Sequence, residues 1–325
     1  MFIKSTDWEL RILVDSKDRI ARIKAGLSLP VVAAPMFLVS GPDLVIAACR
    51  NGIIGSFPSP NARTIDILDE WMDRVTRETS ALGASATTKT WALNLVVHQT
   101  YERLPDELEL VARYKPPIVV TALGSPRDVV ETVHGYGGLV IADVNNVEYA
   151  RKAAAAGVDG LALVSAGAGG HTGSIAGFAF VPAVREFFDG IIILAGTIGD
   201  GRAIRAAEVL GADLVYMGTT FIATEESLAP EDYKNMLINS QFPDLILSNS
   251  FTGAYAYYLR PSIENVGLDP DHLPPKERMD LTGSQNKIKA WKDVWSAGHG
   301  VGTIHAVEPV SAIVTRLREE YEAAL

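Results

Sequence analysis

The chain has 325 residues, 48% of them hydrophobic and 21% charged, a composition of globular rather than disordered protein. Twenty-nine basic residues against 39 acidic ones leave a net charge of −10, with no cluster of Lys or Arg, so neither nucleic acid nor an anionic membrane is the expected partner. A single cysteine, Cys49, excludes an internal disulfide, and no Cys/His set has zinc spacing, so no metal is expected.

The N-terminus, Met1 to Leu10, is charged from Lys4 onward and has no apolar core of a signal peptide, which points to a cytoplasmic protein. From residue 30, short apolar runs alternate with amphipathic segments. Strands are expected at Val31–Met36, Gly52–Phe57, Trp91–Val97, Pro117–Thr121, Gly138–Asp143, Leu161–Val164, Ile191–Ala195 and Asp213–Met217. Helices are expected between them, at Pro42–Arg50, Ile65–Thr79, Pro105–Tyr114, Pro126–His134, Val147–Ala156, Val181–Phe188 and Arg202–Leu210. Cys49 falls on the first of these and reads as a small core residue.

Strand-helix alternation implies parallel strands covered by helices, and near-continuous apolar strands imply burial on both faces. Eight units is the count at which such a sheet closes into a (β/α)8 TIM barrel, with its active site at the C-terminal ends of the strands. A doubly wound open sheet is the alternative, but the Gly-x-Gly-x-x-Gly turn expected after its first strand is missing. After Thr219 the rhythm changes. Helical pieces at Glu231–Ser240 and Ser250–Leu259, and the Pro-rich stretch Leu268–Pro275, read as a small, mainly helical cap inserted after strand eight. Residues 1–222 and 286–325 would form the barrel and 223–285 the cap, with helices at Lys287–Ser296 and Pro309–Ala324 completing the wall.

Chemistry concentrates at the strand ends. The sixth strand runs into Ser165-Ala-Gly-Ala-Gly-Gly-His-Thr-Gly173, inside a long uncharged segment, Gly160 to Val184. Glycines let backbone N–H groups approach a ligand, and His171 among them can exchange a proton near neutral pH. The seventh and eighth strands end alike, in Gly196-Thr197 and Gly218-Thr219, near helix N-termini that could hold phosphate. Ala34-Pro35-Met36 and Asn94, at the ends of strands one and three, would lie on the same face; the first could pack on a flat ring and the second bond its edge.

Together with Ala195-Gly-Thr-Ile-Gly-Asp-Gly-Arg202 and the run Leu210 to Ser227, these motifs resemble the nitronate monooxygenase family, formerly called 2-nitropropane dioxygenases, over residues 30 to 310. The family's barrels bind FMN. The resemblance implies that Pro35 and Met36 contact the flavin ring, that Asn94 meets its polar edge, and that Gly169, Gly170, Gly196, Thr197, Gly218 and Thr219 cradle the phosphate. It places Asp143, at the end of strand five where some relatives carry a basic residue, beside the cofactor, and makes His171 the catalytic base or substrate anchor. Oxidation of alkyl nitronates or nitroalkanes with O2 is the implied activity; an NAD(P)H-dependent flavin reductase of an enoyl thioester or quinone is the alternative. The partners are then a small-molecule substrate and O2, with a homodimer left open. Two motifs depart from the family: Gln-Gly-x-Glu-Ala is replaced by Val164-Ser-Ala-Gly-Ala168, and Met-Gly-Thr-Arg-Phe by Met217-Gly-Thr-Thr-Phe221. In the cap, Tyr255, Tyr257, Tyr258 and Arg260 could line an entrance and pair an anionic group, or simply pack. His299 could reach the flavin, whereas His98, His134, His272 and His305 read as surface or packing residues.

Overall fold

A computed structural model describes residues 18, 20–83, 88–276 and 288–324; Met1 to Leu10, Lys287 and the end of the expected cap lie outside them. In chain order the strands are β1 (Val31–Ala33), β2 (Ile54–Pro58), β3 (Trp91–Val96), β4 (Ile118–Ala122), β5 (Leu139–Val144), β6 (Gly160–Val164), β7 (Gly170–His171), β8 (Ile191–Ala195), β9 (Leu214–Met217), β10 (Leu245–Ser248) and β11 (Ala256–Leu259). All but β7, β10 and β11 form a closed barrel in the order β1-β2-β3-β4-β5-β6-β8-β9, with every pairing parallel. This is the expected TIM barrel.

The outer wall is α1 (Pro42–Arg50), α2 (Ile65–Ser80), α3 (Leu104–Tyr114), α4 (Arg127–Gly135), α5 (Val147–Ala155), α6 (Gly177–Arg185), α7 (Gly201–Leu210) and, closing it, the C-terminal helix Val310–Glu322. Several starts are fixed by side chains that accept a free N–H of the first turn: Thr64 from Ile67, Asn146 from Tyr149, and Asp200 from Ala203. The sixth helix begins four residues before its expected start and carries Pro182 inside it.

Because side chains alternate across a strand, the barrel has two cores. Val31, Ala33, Leu93, Leu95, Leu161 and Leu163 face the helices, whereas Val32, Ile54, Ala92, Ile118, Ile141, Ala162, Ile193 and Tyr216 fill the interior. The registers step one residue per strand around the barrel, which sorts the inward side chains into layers of four. The uppermost layer is Ala34, Asn94, Asp143 and Ala195, and the layer beneath it is Ser56, Val120, Ala162 and Tyr216. Residues 20–25 are helical, and Ile20, Ile23 and Leu27 pack against this inner core.

After β9 come the short helices α8 (Thr219–Ile222), α9 (Glu231–Ile238) and α10 (Arg260–Asn265), and the wall helix Val310–Glu322 is α11. The segment expected to be helical at Ser250–Leu259 is a turn followed by β11, which pairs antiparallel with β10 and with β7. Its alternation explains the change: Ala256 and Tyr258 are fully buried, whereas Tyr255 is 59% exposed and Tyr257 half-buried, the period of a strand rather than a helix. Residues 288–296 are likewise turns with an Ala290–Val294 bridge, not the expected helix. No helix among the described residues is long and apolar enough to cross a membrane.

The last wall helix depends on a glycine. A Cβ on Gly201 would lie 2.3 Å from Tyr321 N and 2.4 Å from Leu317 O, both backbone atoms of α11. Gly201→Ala should therefore push α7 and α11 apart and cost about 1–3 kcal/mol. Urea unfolding measures this, and an unchanged midpoint would contradict such close packing.

Candidate functional site

The C-terminal ends of β6, β8 and β9 meet in a knot of backbone. A Cβ on Gly169 would fall 2.7 Å from Gly298 N, and one on Gly298 would fall 2.7 Å from both Gly167 O and Gly169 N. Gly298 N–H donates to Thr219 Oγ1 at 2.9 Å and His299 N–H to Gly167 O at 2.9 Å, while Thr303 Oγ1 donates to Gly199 O at 3.1 Å. Residues 298–303 thus strap the three strand ends together.

Beside this strap, Gly196 and Thr197 both have positive φ, 109° and 66°. That is costly for the β-branched Thr197, whose hydroxyl donates to Ala166 O at 3.1 Å. The amides of Thr197, Ile198, Gly199 and Thr219 donate to no carbonyl among the described residues. The α7 terminus itself differs from expectation. Its N–H groups are taken by carboxylates, Ala203 N–H by Asp200 Oδ1 and Gly201 N–H by Glu320 Oε2, so the free donors belong to the preceding turn.

Pro35 and Met36 stand next to this region: a Cβ on Gly218 would lie 3.5 Å from Met36 Sδ and 3.7 Å from Ala34 Cβ. Their loop is held by Asn61, which sequence reasoning missed. Its side chain accepts from Leu38 N–H at 2.8 Å and donates to Met36 O at 2.9 Å and Ser40 O at 2.7 Å. Leu38 has φ 65°, and nothing in the Ser59-Pro-Asn61 sequence signals the clasp.

The upper barrel layer carries unpartnered polarity. Asn94 Nδ2, Asp143 Oδ1 and the Tyr216 hydroxyl are buried without a hydrogen-bond partner. Burial raises Asp143 to about 7, and it raises the Tyr216 phenol, with the nearby Asp143 charge adding to the effect. In the sequence Tyr216 stands only as one member of an apolar strand. Its alternation with Leu214 was the available signal that it points inward.

His171 lies on β7, where Gly170 and His171 pair with Tyr257 and Ala256 of β11. Its Nε2 is 3.0 Å from Thr252 Oγ1 and its ring meets the edge of Trp291 at 5.2 Å. Burial lowers its pKa to about 4. His299 sits between Tyr257 and Phe242, with ring centroids 4.7 and 4.8 Å away, and burial lowers its pKa too. Other sequence candidates fall elsewhere. Arg260 is committed to a two-point ion pair with Asp271, at 2.7 and 3.0 Å, and Tyr258 packs against Phe251 and Trp291. His134 pairs with Asp159, His272 with Asp269, and His98 with Thr100. Cys49 is fully buried, its thiol pushed up to about 12.

Glycine turns, amides without a carbonyl partner among the described residues and orphaned polar side chains mark the C-terminal mouth of this closed parallel barrel as a candidate ligand site, the place where α/β-barrel enzymes carry theirs. The nitronate monooxygenase family profile matches residues 20–266. The chain belongs to that family of flavin-dependent oxidoreductases. It is 27% identical over 353 residues to a nitronate monooxygenase of Paraburkholderia phytofirmans, covering 92% of this chain and 94% of that one. A hydroxy-methyl-oxo-octahydroindene-carboxyl-CoA dehydrogenase of Rhodococcus jostii is 27% identical over 228 residues, covering 70% of this chain but only 62% of its own length. The fold matches nitroalkane oxidase from Streptomyces ansochromogenes with a TM-score of 0.73 at 22% identity, covering 92% of this chain and 97% of that one.

His171 should stay uncharged until strongly acidic pH. Its imidazole proton signals in an NMR titration should show a midpoint of about 4. Since the unfolded histidine titrates at about 6.5, the unfolded state binds more protons between those values, and acidification through that window should cost stability. A midpoint above 6 would contradict the buried setting.

Proposed function

We propose that this chain is an FMN-dependent enzyme that oxidises alkyl nitronates with O2 to a carbonyl compound and nitrite. The observation that carries the reading is the set of orphaned polar atoms, Asn94 Nδ2, Asp143 Oδ1 and the Tyr216 hydroxyl, beside glycine turns with unpaired amides. This combination fits a flavin: a heteroaromatic ring with donors and acceptors along one edge, and a phosphate at its other end. Asn94 and Asp143 would meet the ring edge and Pro35 and Met36 its face. Gly169, Gly170, Gly196, Thr197, Gly218 and Thr219 would hold the phosphate through backbone and hydroxyl donors. FMN supplies the electron chemistry when bound.

The chain's own part is to bind, orient and move protons. Residues 223–285 would act as a cap over the barrel formed by 1–222 and 286–325, screening the substrate from water. His171, neutral across the physiological range, would anchor the nitro group of the substrate and serve as the base toward a neutral nitroalkane. Its depressed pKa makes it a weak base, so the preferred substrate is the nitronate, which has already lost its α-proton. In the overall reaction two nitronates and one O2 would give two carbonyl compounds and two nitrites: in each nitronate the C=N bond breaks, one oxygen atom of O2 becomes the carbonyl oxygen, and the nitrogen leaves as nitrite.

A second reading, an NAD(P)H-dependent flavin reductase of a thioester or quinone, draws support from the relative named as a carboxyl-CoA dehydrogenase. Anaerobic mixing separates the two. A nitronate should change the flavin spectrum without NAD(P)H; bleaching by NAD(P)H alone would contradict nitronate oxidation. His171→Ala should keep FMN bound yet lower turnover of neutral nitroalkanes by about 10²-fold or more, the scale of a lost general base. Unchanged turnover would remove His171 from the mechanism.

A further inference from the structure

Asp143 is the acidic side chain of the barrel interior, and the steps above leave its proton unused. Its setting is defined by every strand around it. Along the register it lies beside Ala162 of β6, with Ile193 of β8 beyond. Its own layer holds Ala34, Asn94 and Ala195, and the layer beneath holds Ser56, Val120, Ala162 and Tyr216. Ser56 spends its hydroxyl on Ala33 O. Among the described residues, the titratable groups around the mouth include Tyr216 in the layer below, His171 on β7, Tyr257 on β11 and His299 on the strap. No ion pair of Asp143 with Lys, Arg or His occurs among the described residues, and its Oδ1 is buried without a partner. A carboxylate placed there would be desolvated with no cation to offset the cost.

We propose that Asp143 takes part in cofactor binding as the uncharged acid, its O–H donating to an acceptor on the flavin ring while Tyr216 supports it from the layer below, so that ring binding is linked to one proton. This rests on the FMN reading. Ionised Asp143 offers the ring only acceptors and forces a buried negative charge against it. Protonated Asp143 offers a donor beside the Asn94 amide, and the pair matches a ring edge that alternates donors and acceptors. Asp143 is thereby a binding group that reads pH, separate from His171.

The test is ring affinity against pH, measured by flavin fluorescence quenching between about pH 5.5 and 8.5. Riboflavin is used beside FMN because it lacks the phosphate, which titrates near 6. With Asp143 titrating at about 7 in the ligand-free chain, wild-type affinity should be flat in acid and fall about tenfold per pH unit well above that value. Asp143→Asn, which keeps shape and a donor, should bind with no such slope. Calorimetry at pH 8 in two buffers of different ionisation enthalpy needs no variant, and should show uptake of about one proton per ring bound. A flat wild-type profile, a slope retained in Asp143→Asn, or zero proton uptake would overturn the proposal while leaving FMN binding intact. Failure to bind either flavin at any pH would overturn it together with the FMN reading.

Discussion

The mouth of this barrel depends on the close approach of two backbone segments, the Gly167–Gly169 turn after β6 and Gly298 of the strap. Neither Gly169 nor Gly298 has room for a Cβ, because each would press it to 2.7 Å from the other segment's backbone. Only that approach allows Gly298 N–H to reach Thr219 and His299 N–H to reach Gly167. Three strand ends far apart in sequence are thereby fixed relative to one another, and the amides of residues 197–199 donate to no carbonyl among the described residues. The strain at Thr197, in a left-handed conformation that β-branched residues avoid, is part of the same arrangement.

Beneath the mouth, strand register does the sorting. One residue of stagger per strand brings Asn94 and Asp143, from β3 and β5, into one layer with two alanines, and puts Tyr216 just below. Within the upper layer Asn94 and Asp143 stand on one side and the two alanines on the other, with Tyr216 beneath the alanines, which suits a flat ring lying across it. Burying three unsatisfied polar atoms costs stability that a purely apolar layer would not, and a ligand that pairs with them recovers it. β10 and β11 then join the barrel through sequence-distant pairing: β7, part of the loop after β6, becomes an edge strand of a sheet whose other members lie beyond β9. His171 therefore sits where the loop after β6 meets β11, beside Thr252 and Trp291.

The barrel was legible because its signals are local. Ile191–Ala195 and Pro42–Arg50 match their expected spans, since apolar runs, caps and glycines act within a few residues. The Gly-Thr turns and the Gly-Gly-His run were visible for the same reason. What escaped was non-local. The Ser250–Leu259 stretch was read as helix although its alternation is that of a strand, and its partners, β10 and β7, could not be seen from the segment alone. Asn61 holds the Met36 loop from 25 residues away, and Gly298 meets Gly169 across more than 100 residues. Arg260 looked free to meet an anion until its pairing with Asp271 appeared.

The most direct measurement of the central claim is the flavin content of the purified, folded protein. After denaturation, chromatography of the released chromophore should give FMN, approaching one per chain when the protein is first supplied with FMN. A folded chain that remains colourless and takes up no FMN under those conditions would contradict the account of the barrel mouth.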